Sequence, residues 1–319
     1  MPDALTPPGL APEFIAAQAL LRESGIVQAD VLATPVVVAR GHALTLQAFL
    51  NQDAPPLARV EEHVLDLPVP VRVRLYYPDN AAGPLPAYLH AHGGGFALGG
   101  IDSLDRWKRE VARDARVVVV GLDYALAPEH KFPTARDQTV GVLRWLRANA
   151  AALGIDAGRI GIGGDSAGGN LALATLLRLR DLGEPLPRFG AIVYGMLSAD
   201  HGTPSHRDFG DGRYGLSTAK LDWFWAQYLP DPALRNDPQA APLTADLGGL
   251  PPLLLLAAAL DPLLDDTLAL DQRLTRIDAP HSLKVYPDMP HGFLAQTRLL
   301  SRAREARDDV VTALRRHLV

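Results

Sequence analysis

Short apolar runs alternate with segments of helical spacing along most of the chain, and this rhythm restricts the fold more than any other feature. The runs are rich in Val, Ile and Leu, which is typical of parallel strands buried on both faces. Strands separated by helices indicate βαβ units. The runs lie at 86–92, 117–122, 159–163, 190–194, 253–258 and 282–286, and the helical segments at 105–114, 134–149, 170–182 and 298–318. We therefore predict one α/β domain over residues 56–319.

Two regions depart from this rhythm. Residues 1–55 favour helices between prolines, with a helix start at Pro12, and residues 71–77 alternate with period two as a half-buried strand does. Residues 200–244 contain two histidines, several glycines and an aromatic stretch that we interpret as a helix. A connection of this length with its own helix is usually functional. We expect this insertion to lie over the sheet together with the N-terminal helices.

Composition excludes several classes of function. The chain has 319 residues and no cysteine, which excludes a disulfide framework, a thiol nucleophile and an iron–sulfur cluster. Its net charge of −5 provides no basic surface for nucleic acid or an anionic membrane. The longest apolar run, 250–260, is too short to span a bilayer. The first five residues lack the pattern of a signal peptide, so we expect a cytoplasmic protein.

A serine flanked by glycines follows one strand-like run and precedes a helical one. In Gly164-Asp165-Ser166-Ala167-Gly168 the small residues permit a tight strand-to-helix turn that projects the serine oxygen above the sheet edge. This turn places the N–H of Ala167 at a helix N-terminus, where it can stabilise a developing oxyanion. We predict that Ser166 is a nucleophile. Asp165 either holds this turn by hydrogen bonds or is a turn residue at the surface.

Three glycines follow an earlier strand-like run, in His92-Gly93-Gly94-Gly95-Phe96. Glycine lets a backbone approach a ligand closely and direct its N–H groups at it, so we predict a second part of the oxyanion site here. A flexible turn is the simpler alternative. His90 and His92 could also share a strand face and bind a metal, but no carboxylate or cysteine nearby completes such a site.

A serine nucleophile needs a base, and five histidines follow Ser166 in the chain. His291 lies in a loop just after the last strand-like run, at the sheet edge where open α/β sheets place their sites. The others are His201 and His206 in the insertion, His281 at a strand start, and His317 in the last helix. We therefore predict that His291 is the base.

The acid is expected at the end of the strand before that one. Asp261 is the first carboxylate past the run 253–260. Asp265 and Asp266 are competitors, but they fall within the first turn of the next helix, where acidic residues also stabilise the helix dipole. Phe96 and Phe293, each beside one of these motifs, are candidate walls of an acyl pocket.

Together these motifs resemble the hormone-sensitive-lipase-like family of α/β-hydrolases, and within it the bacterial acetyl esterases and carboxylesterases. The resemblance extends from about residue 72 to the end. It rests on the glycine run at 92–96, 123–129, 132–133, the elbow at 164–170, 261–265 and 291–293. One residue departs from the family pattern, because Ala125 stands where the family usually has Arg. This change bears on local packing more than on catalysis.

The resemblance implies a mostly parallel, eight-stranded sheet with helices on both faces and a helical cap. It implies a Ser166–His291–Asp261 triad, with oxyanion donors from the N–H groups of Gly94, Gly95 and Ala167. The implied activity is hydrolysis of short acyl esters, acetyl to about hexanoyl. The alternatives are cleavage of an amide, formamide or acetylated small molecule, and a receptor without activity. No cofactor or metal is implied, the partner is a small-molecule ester, and the chain is a monomer or homodimer.

Overall fold

One eight-stranded sheet forms the centre of the computed structural model, which describes residues 9–78 and 83–319. Residues 1–8 lie outside these described residues. They include the first five residues, which lack a signal-peptide pattern, and the start of the predicted N-terminal segment. The strands are β1 (Arg59–Leu65), β2 (Val71–Tyr77), β3 (Leu85–Ala91), β4 (Val118–Asp123), β5 (Ile155–Asp165), β6 (Phe189–Val193), β7 (Leu253–Leu260) and β8 (His281–Pro290).

The strand order is β1-β2-β4-β3-β5-β6-β7-β8. β2 pairs antiparallel with β1 and with β4, and every other neighbouring pair is parallel. This arrangement confirms the predicted mostly parallel sheet of eight strands. Parallel strands end at the same edge, so the loops after β3, β5, β7 and β8 meet there.

Helices occupy both faces of the sheet. The α-helices of the described residues are α1 (Pro12–Glu23), α2 (Val36–Leu50), α3 (Asp105–Ala115), α4 (Thr134–Ala148), α5 (Ala150–Leu153), α6 (Ala167–Asp181), α7 (Pro204–Phe209), α8 (Thr218–Tyr228), α9 (Leu264–Arg276) and α10 (Ser301–Leu318). None of these helices is both long enough and apolar enough to cross a membrane.

The core has two layers because successive side chains of a strand point to opposite faces. In β4, Val118 and Val120 belong to the same buried cluster as residues of α4, α6 and α9, whereas Val119 belongs to the cluster that includes residues of α3 and α10. Both layers are almost fully buried. This double burial explains why the strands appear in the sequence as continuous apolar runs.

The apolar runs and helical spacing of the sequence do not predict β1, and they place the starts of two helices differently from the structure. β1 is an edge strand rich in charged residues and largely exposed, so it lacks an apolar run. α6 begins at Ala167 rather than at 170, because the glycines after Ser166 hide the helical pattern. α10 begins at Ser301 rather than at 298, because a 3₁₀ turn at Phe293–Gln296 and a short connection come first.

The segment between β6 and β7 contains α7, α8 and two 3₁₀ turns, Pro232–Asn236 and Pro242–Thr244. It includes the predicted insertion at 200–244. α8 is the predicted aromatic helix, and its N-cap Ser217 accepts a hydrogen bond from the N–H of Lys220. That this segment and the N-terminal helices act as a cap stays a prediction.

Candidate active site

Ser166 lies at a tight turn between β5 and α6. Its φ of 56° and ψ of −121° form a backbone conformation that non-glycine residues rarely adopt. The flanking glycines make the turn possible. A Cβ atom on Gly168 would lie 2.0 Å from the carbonyl oxygen of Ala91, and one on Gly164 would lie 2.3 Å from the backbone of Gly168. No larger residue fits at either position, as the elbow prediction requires.

The structure brings Ser166, His291 and Asp261 together. The Oγ atom of Ser166 lies 2.8 Å from Nε2 of His291, and Nδ1 of His291 lies 2.7 Å from Oδ2 of Asp261. Asp261 is fully buried and directly follows β7, whereas His291 directly follows β8. A carboxylate only accepts hydrogen bonds, so Nδ1–H donates to Asp261 and leaves Nε2 to accept the hydroxyl proton of Ser166.

A tyrosine that sequence reasoning did not select packs against this histidine. The ring of Tyr194, just after β6, lies 4.7 Å from the imidazole of His291, and Tyr194 is fully buried. Its φ of 34° is also unusual for a non-glycine residue. The aromatic ring restricts the orientation of the imidazole.

The competing acids have other partners. Asp265 accepts a hydrogen bond from the N–H of Ser205 at 2.8 Å. Asp266 accepts hydrogen bonds from the N–H groups of Leu197 and Ser198, at 2.8 and 2.9 Å. Both carboxylates therefore hold the segment after β6 rather than His291.

The other histidines after Ser166 also have other neighbours. The rings of His201 and His206 stack on each other at 4.5 Å within the insertion. His281 lies 3.1 Å from Asp271, and His317 stacks on Phe189 at 4.9 Å. Of the predicted candidates, His291 is therefore the histidine that the structure brings to Ser166.

The glycine run forms a tight loop after β3. Gly94 and Gly95 have positive φ values of 121° and 59°, and the carbonyl of Gly94 accepts a hydrogen bond from Leu98. A Cβ atom on Gly95 would lie 2.1 Å from the ring of Phe224 in α8. Among the described residues, no backbone acceptor is bonded to the N–H of Gly94 or Gly95. That these N–H groups donate to an oxyanion stays a prediction.

Asp165 joins this loop to the turn at Ser166. Its Oδ1 atom accepts a hydrogen bond from the N–H of Gly93 at 2.9 Å and lies 3.2 Å from Nε2 of His90. Burial lowers the pKa of His90, so its neutral imidazole donates to the carboxylate. Burial alone would raise the pKa of Asp165, but the hydrogen bonds from His90 and from the N–H of Gly93 outweigh it, and the pKa is lowered. Asp165 is thus a buried, ionised anchor rather than a surface turn residue.

His92 shapes the same loop. Its Nδ1 atom lies 2.7 Å from the carbonyl oxygen of Gly93, its ring stacks on Tyr124 at 4.2 Å, and burial lowers its pKa to about 4. His90 and His92 therefore have different partners. In the part of the chain that the structure describes, no group of three or more His, Asp or Glu side chains is arranged to hold a metal ion.

Both predicted pocket phenylalanines are buried among other rings. Phe96 stacks on Tyr228 of α8 at 3.7 Å, and Phe293 lies 5.0 Å from Tyr286. That either ring lines an acyl pocket stays a prediction. A separate cavity of about 390 Å³ lies between the β1–β2 turn, α4 and α6, and none of its lining residues belongs to the site around Ser166.

The mostly parallel sheet, the serine at a strained strand-to-helix turn, and the acid and histidine after the last two strands define the class of α/β-hydrolases. A family model described as an alpha/beta hydrolase fold matches residues 88–295.

Relatives agree with this class. An ethyl acetate hydrolase of Pseudomonas putida is 38% identical over 250 residues, covering 77% of this chain and 78% of the relative. A carboxylesterase of Mycobacterium tuberculosis, NlhH, is 36% identical over 269 residues, covering 82% of this chain and 84% of the relative. The solved structure of the hyperthermophilic esterase of the archaeon Pyrobaculum calidifontis superimposes on this chain with a TM-score of 0.88 at 33% identity. The match covers 96% of this chain and 98% of the esterase. The chain belongs to the hormone-sensitive-lipase-like group of the α/β-hydrolase family. The predicted family and class of enzyme are confirmed.

Proposed function

We propose that the chain is a serine carboxylesterase that hydrolyses short acyl esters, acetyl to about hexanoyl, through an acyl-enzyme. The observation that carries this proposal is the continuous hydrogen-bonded series from Asp261 through His291 to Ser166, with distances of 2.7 and 2.8 Å. A nucleophile, a base and an orienting acid within hydrogen-bond reach are the geometric requirement for acyl transfer by serine.

In the proposed mechanism, Ser166 attacks the ester carbonyl while His291 accepts its proton. Asp261 fixes the tautomer of the imidazole and stabilises its charged form. The N–H groups of Gly94, Gly95 and Ala167 stabilise the tetrahedral oxyanion, and each such donor contributes roughly 10²–10³ to turnover. His291 then protonates the leaving alcohol and activates the water that releases the acid.

We further propose that residues 9–55, the described part of the predicted N-terminal segment, and residues 200–244 form a cap that limits the acyl group. Two observations support this. The ring of Phe224 packs on Gly95, and Phe96 stacks on Tyr228, so α8 lies against the loop after β3. In addition, one of the relatives is named for ethyl acetate, a small ester. We therefore expect the site to accept small acyl groups.

A rate series on p-nitrophenyl esters from acetate to laurate, run beside Ser166→Ala, tests the proposal. We expect the rate to be highest for the short acyl chains and to be abolished in the variant. A rate that rises towards laurate would contradict the small pocket but keep the serine mechanism. Turnover of p-nitroacetanilide without turnover of any ester would instead favour an amidase.

A further inference from the structure

The N-terminal helix α2 lies along the connection between β3 and α3, which begins with the glycine run. Near its C-terminal end, Gln47 accepts a hydrogen bond from the N–H of Leu104 at 3.0 Å. Asn51, the C-cap of α2, donates to the carbonyl of Asp102 at 2.8 Å and accepts from the N–H of Arg106 at 3.1 Å. Polar side chains of α2 thus hold the far end of this connection.

Arg40 of α2 holds the near end. Its Nε donates to the carbonyl oxygen of Ala97 and one Nη to that of Ala127, each at 2.8 Å. The same guanidinium binds both carboxylate oxygens of Glu129, at 2.8 and 2.7 Å. The Arg40 side chain is 21% exposed, so much of it is withdrawn from solvent. A planar guanidinium with several fixed donors suits this arrangement, because it reaches two carbonyls and a carboxylate at once.

The residues whose carbonyls Arg40 contacts, Ala97 and Ala127, also donate backbone hydrogen bonds around the glycine run. The N–H of Ala97 donates to the carbonyl of Gly94 at 3.1 Å, which closes the turn that contains Gly95. The N–H of Ala127 donates to the carbonyl of Phe96 at 2.9 Å. Arg40 therefore bridges the carbonyl oxygens of Ala97 and Ala127. The hydrogen bond from the N–H of Ala127 to the carbonyl of Phe96 joins the same two segments.

We propose that Arg40 is a positioning residue for the reaction, because it holds the loop that presents the N–H groups of Gly94 and Gly95. The inference rests on the proposed function, since it concerns the geometry of the same oxyanion site. It assigns the N-terminal helix a part in turnover as well as in covering the site. An oxyanion donor acts only when it points to where charge develops, so a small shift of this loop lowers the rate of the chemical step.

The test compares Arg40→Gln and Arg40→Lys with Glu129→Gln, and uses Arg276→Gln, at an exposed arginine at the end of α9, as the matched control. The kcat and KM for p-nitrophenyl acetate are measured per active site, counted by titration with a p-nitrophenyl phosphonate. This count separates a slower site from a smaller fraction of folded enzyme. The inhibition constant of an aryl trifluoromethyl ketone, which forms an oxyanion when the serine adds to it, is measured in parallel.

We expect kcat per titrated site to fall at least about 10-fold in Arg40→Gln, with KM within about 3-fold of the wild-type value. The ketone should bind more weakly by the same factor as kcat/KM, because its affinity follows that of the transition state. Arg40→Lys should also lose kcat, since one ammonium group cannot reach both carbonyls in a fixed geometry. Glu129→Gln, which keeps both carbonyl contacts, should lose less, and Arg276→Gln should match the wild type.

Wild-type kcat per titrated site in Arg40→Lys and Arg40→Gln would overturn the inference. If Arg40→Gln does not fold, Arg40→Lys decides, because it keeps the charge beside Glu129. Failure of the proposed function has a different signature. In that case Ser166→Ala would retain turnover or the phosphonate would not titrate the wild-type enzyme, whatever the Arg40 variants do.

Discussion

The carboxylate of Asp165 accepts a hydrogen bond from the N–H of Gly93 at 2.9 Å, so the residue before Ser166 holds the glycine loop after β3. The two residues are far apart in the chain, on the turns after β5 and β3. A Cβ atom on Gly93 would lie 2.5 Å from Oδ2 of Asp165, so a larger residue here would displace this carboxylate. The two halves of the proposed oxyanion site are therefore joined by one buried anion.

We expect Asp165→Asn to lower kcat by roughly 10–100-fold while the protein still folds. The neutral amide is a weaker acceptor for Gly93 and His90, so the loop loses its fixed position. Steady-state kinetics with circular dichroism measure this effect, and Asp208→Asn, at an exposed position, is the control. Unchanged kcat in Asp165→Asn would contradict the anchoring role.

Asp261→Asn should lower kcat by roughly 10⁴-fold, because an amide no longer fixes the tautomer of His291. Asp265→Asn should have a much smaller effect, since Asp265 binds the N–H of Ser205 instead. The assay is turnover of p-nitrophenyl acetate by both variants. The acid assignment would be wrong if Asp261→Asn kept full activity while Asp265→Asn lost it.

Gly95→Ala should reduce both activity and stability. The new Cβ would collide with the ring of Phe224, and a φ of 59° costs an L-residue roughly 1–2 kcal/mol. Phe224→Ala removes the collision but not the backbone strain. In a double-mutant cycle of unfolding free energies, the double variant should therefore be more stable than the sum of the single effects predicts. Strict additivity would mean that the two residues do not contact each other.

Asp266 should make a contribution to the stability of the wild-type protein that falls as pH rises from about 4 to about 8. Burial raises the pKa of this carboxyl group to about 8, against about 3.9 in an unfolded chain. Over that range the folded state holds a proton that the unfolded state lacks. The contribution of Asp266 to the free energy of unfolding is therefore fully present at low pH and is lost as pH approaches the folded pKa.

Urea unfolding of the wild type and Asp266→Asn, at about pH 5 and about pH 8, measures this contribution. Asn cannot titrate, so the stability of the variant should depend less on pH, by up to roughly 1.4 kcal/mol per pH unit. Equal pH dependence in the two proteins would show that Asp266 is already ionised at about pH 5.

The sequence predicted those parts of the molecule that depend on local patterns. Buried parallel strands must be apolar on both faces, so β4 begins with a run of valine and β7 with a run of leucine. The elbow demands glycine on both sides of Ser166, so its motif is explicit in the sequence. The order serine, acid, histidine then selected Asp261 and His291.

The sequence did not predict the features that depend on tertiary contacts, because such contacts leave no local pattern in the sequence. β1 is polar because it is an exposed edge strand, and it is stabilised by pairing with β2 rather than by burial. The contacts of Arg40 with Ala97, of Tyr194 with His291 and of Phe224 with Gly95 join residues from distant segments. The position of an arginine or a phenylalanine along a helix does not predict which distant residue its side chain contacts.

Identification of the residue that carries the acyl group tests the central claim most directly. The enzyme is mixed with p-nitrophenyl acetate, quenched in acid during turnover, digested and analysed by mass spectrometry. We predict acetylation of Ser166 in the wild type, increased in Asp261→Asn if deacylation slows more than acylation, and absent in Ser166→Ala together with turnover. An acetyl group on another residue during turnover, or turnover that persists in Ser166→Ala, would contradict the account.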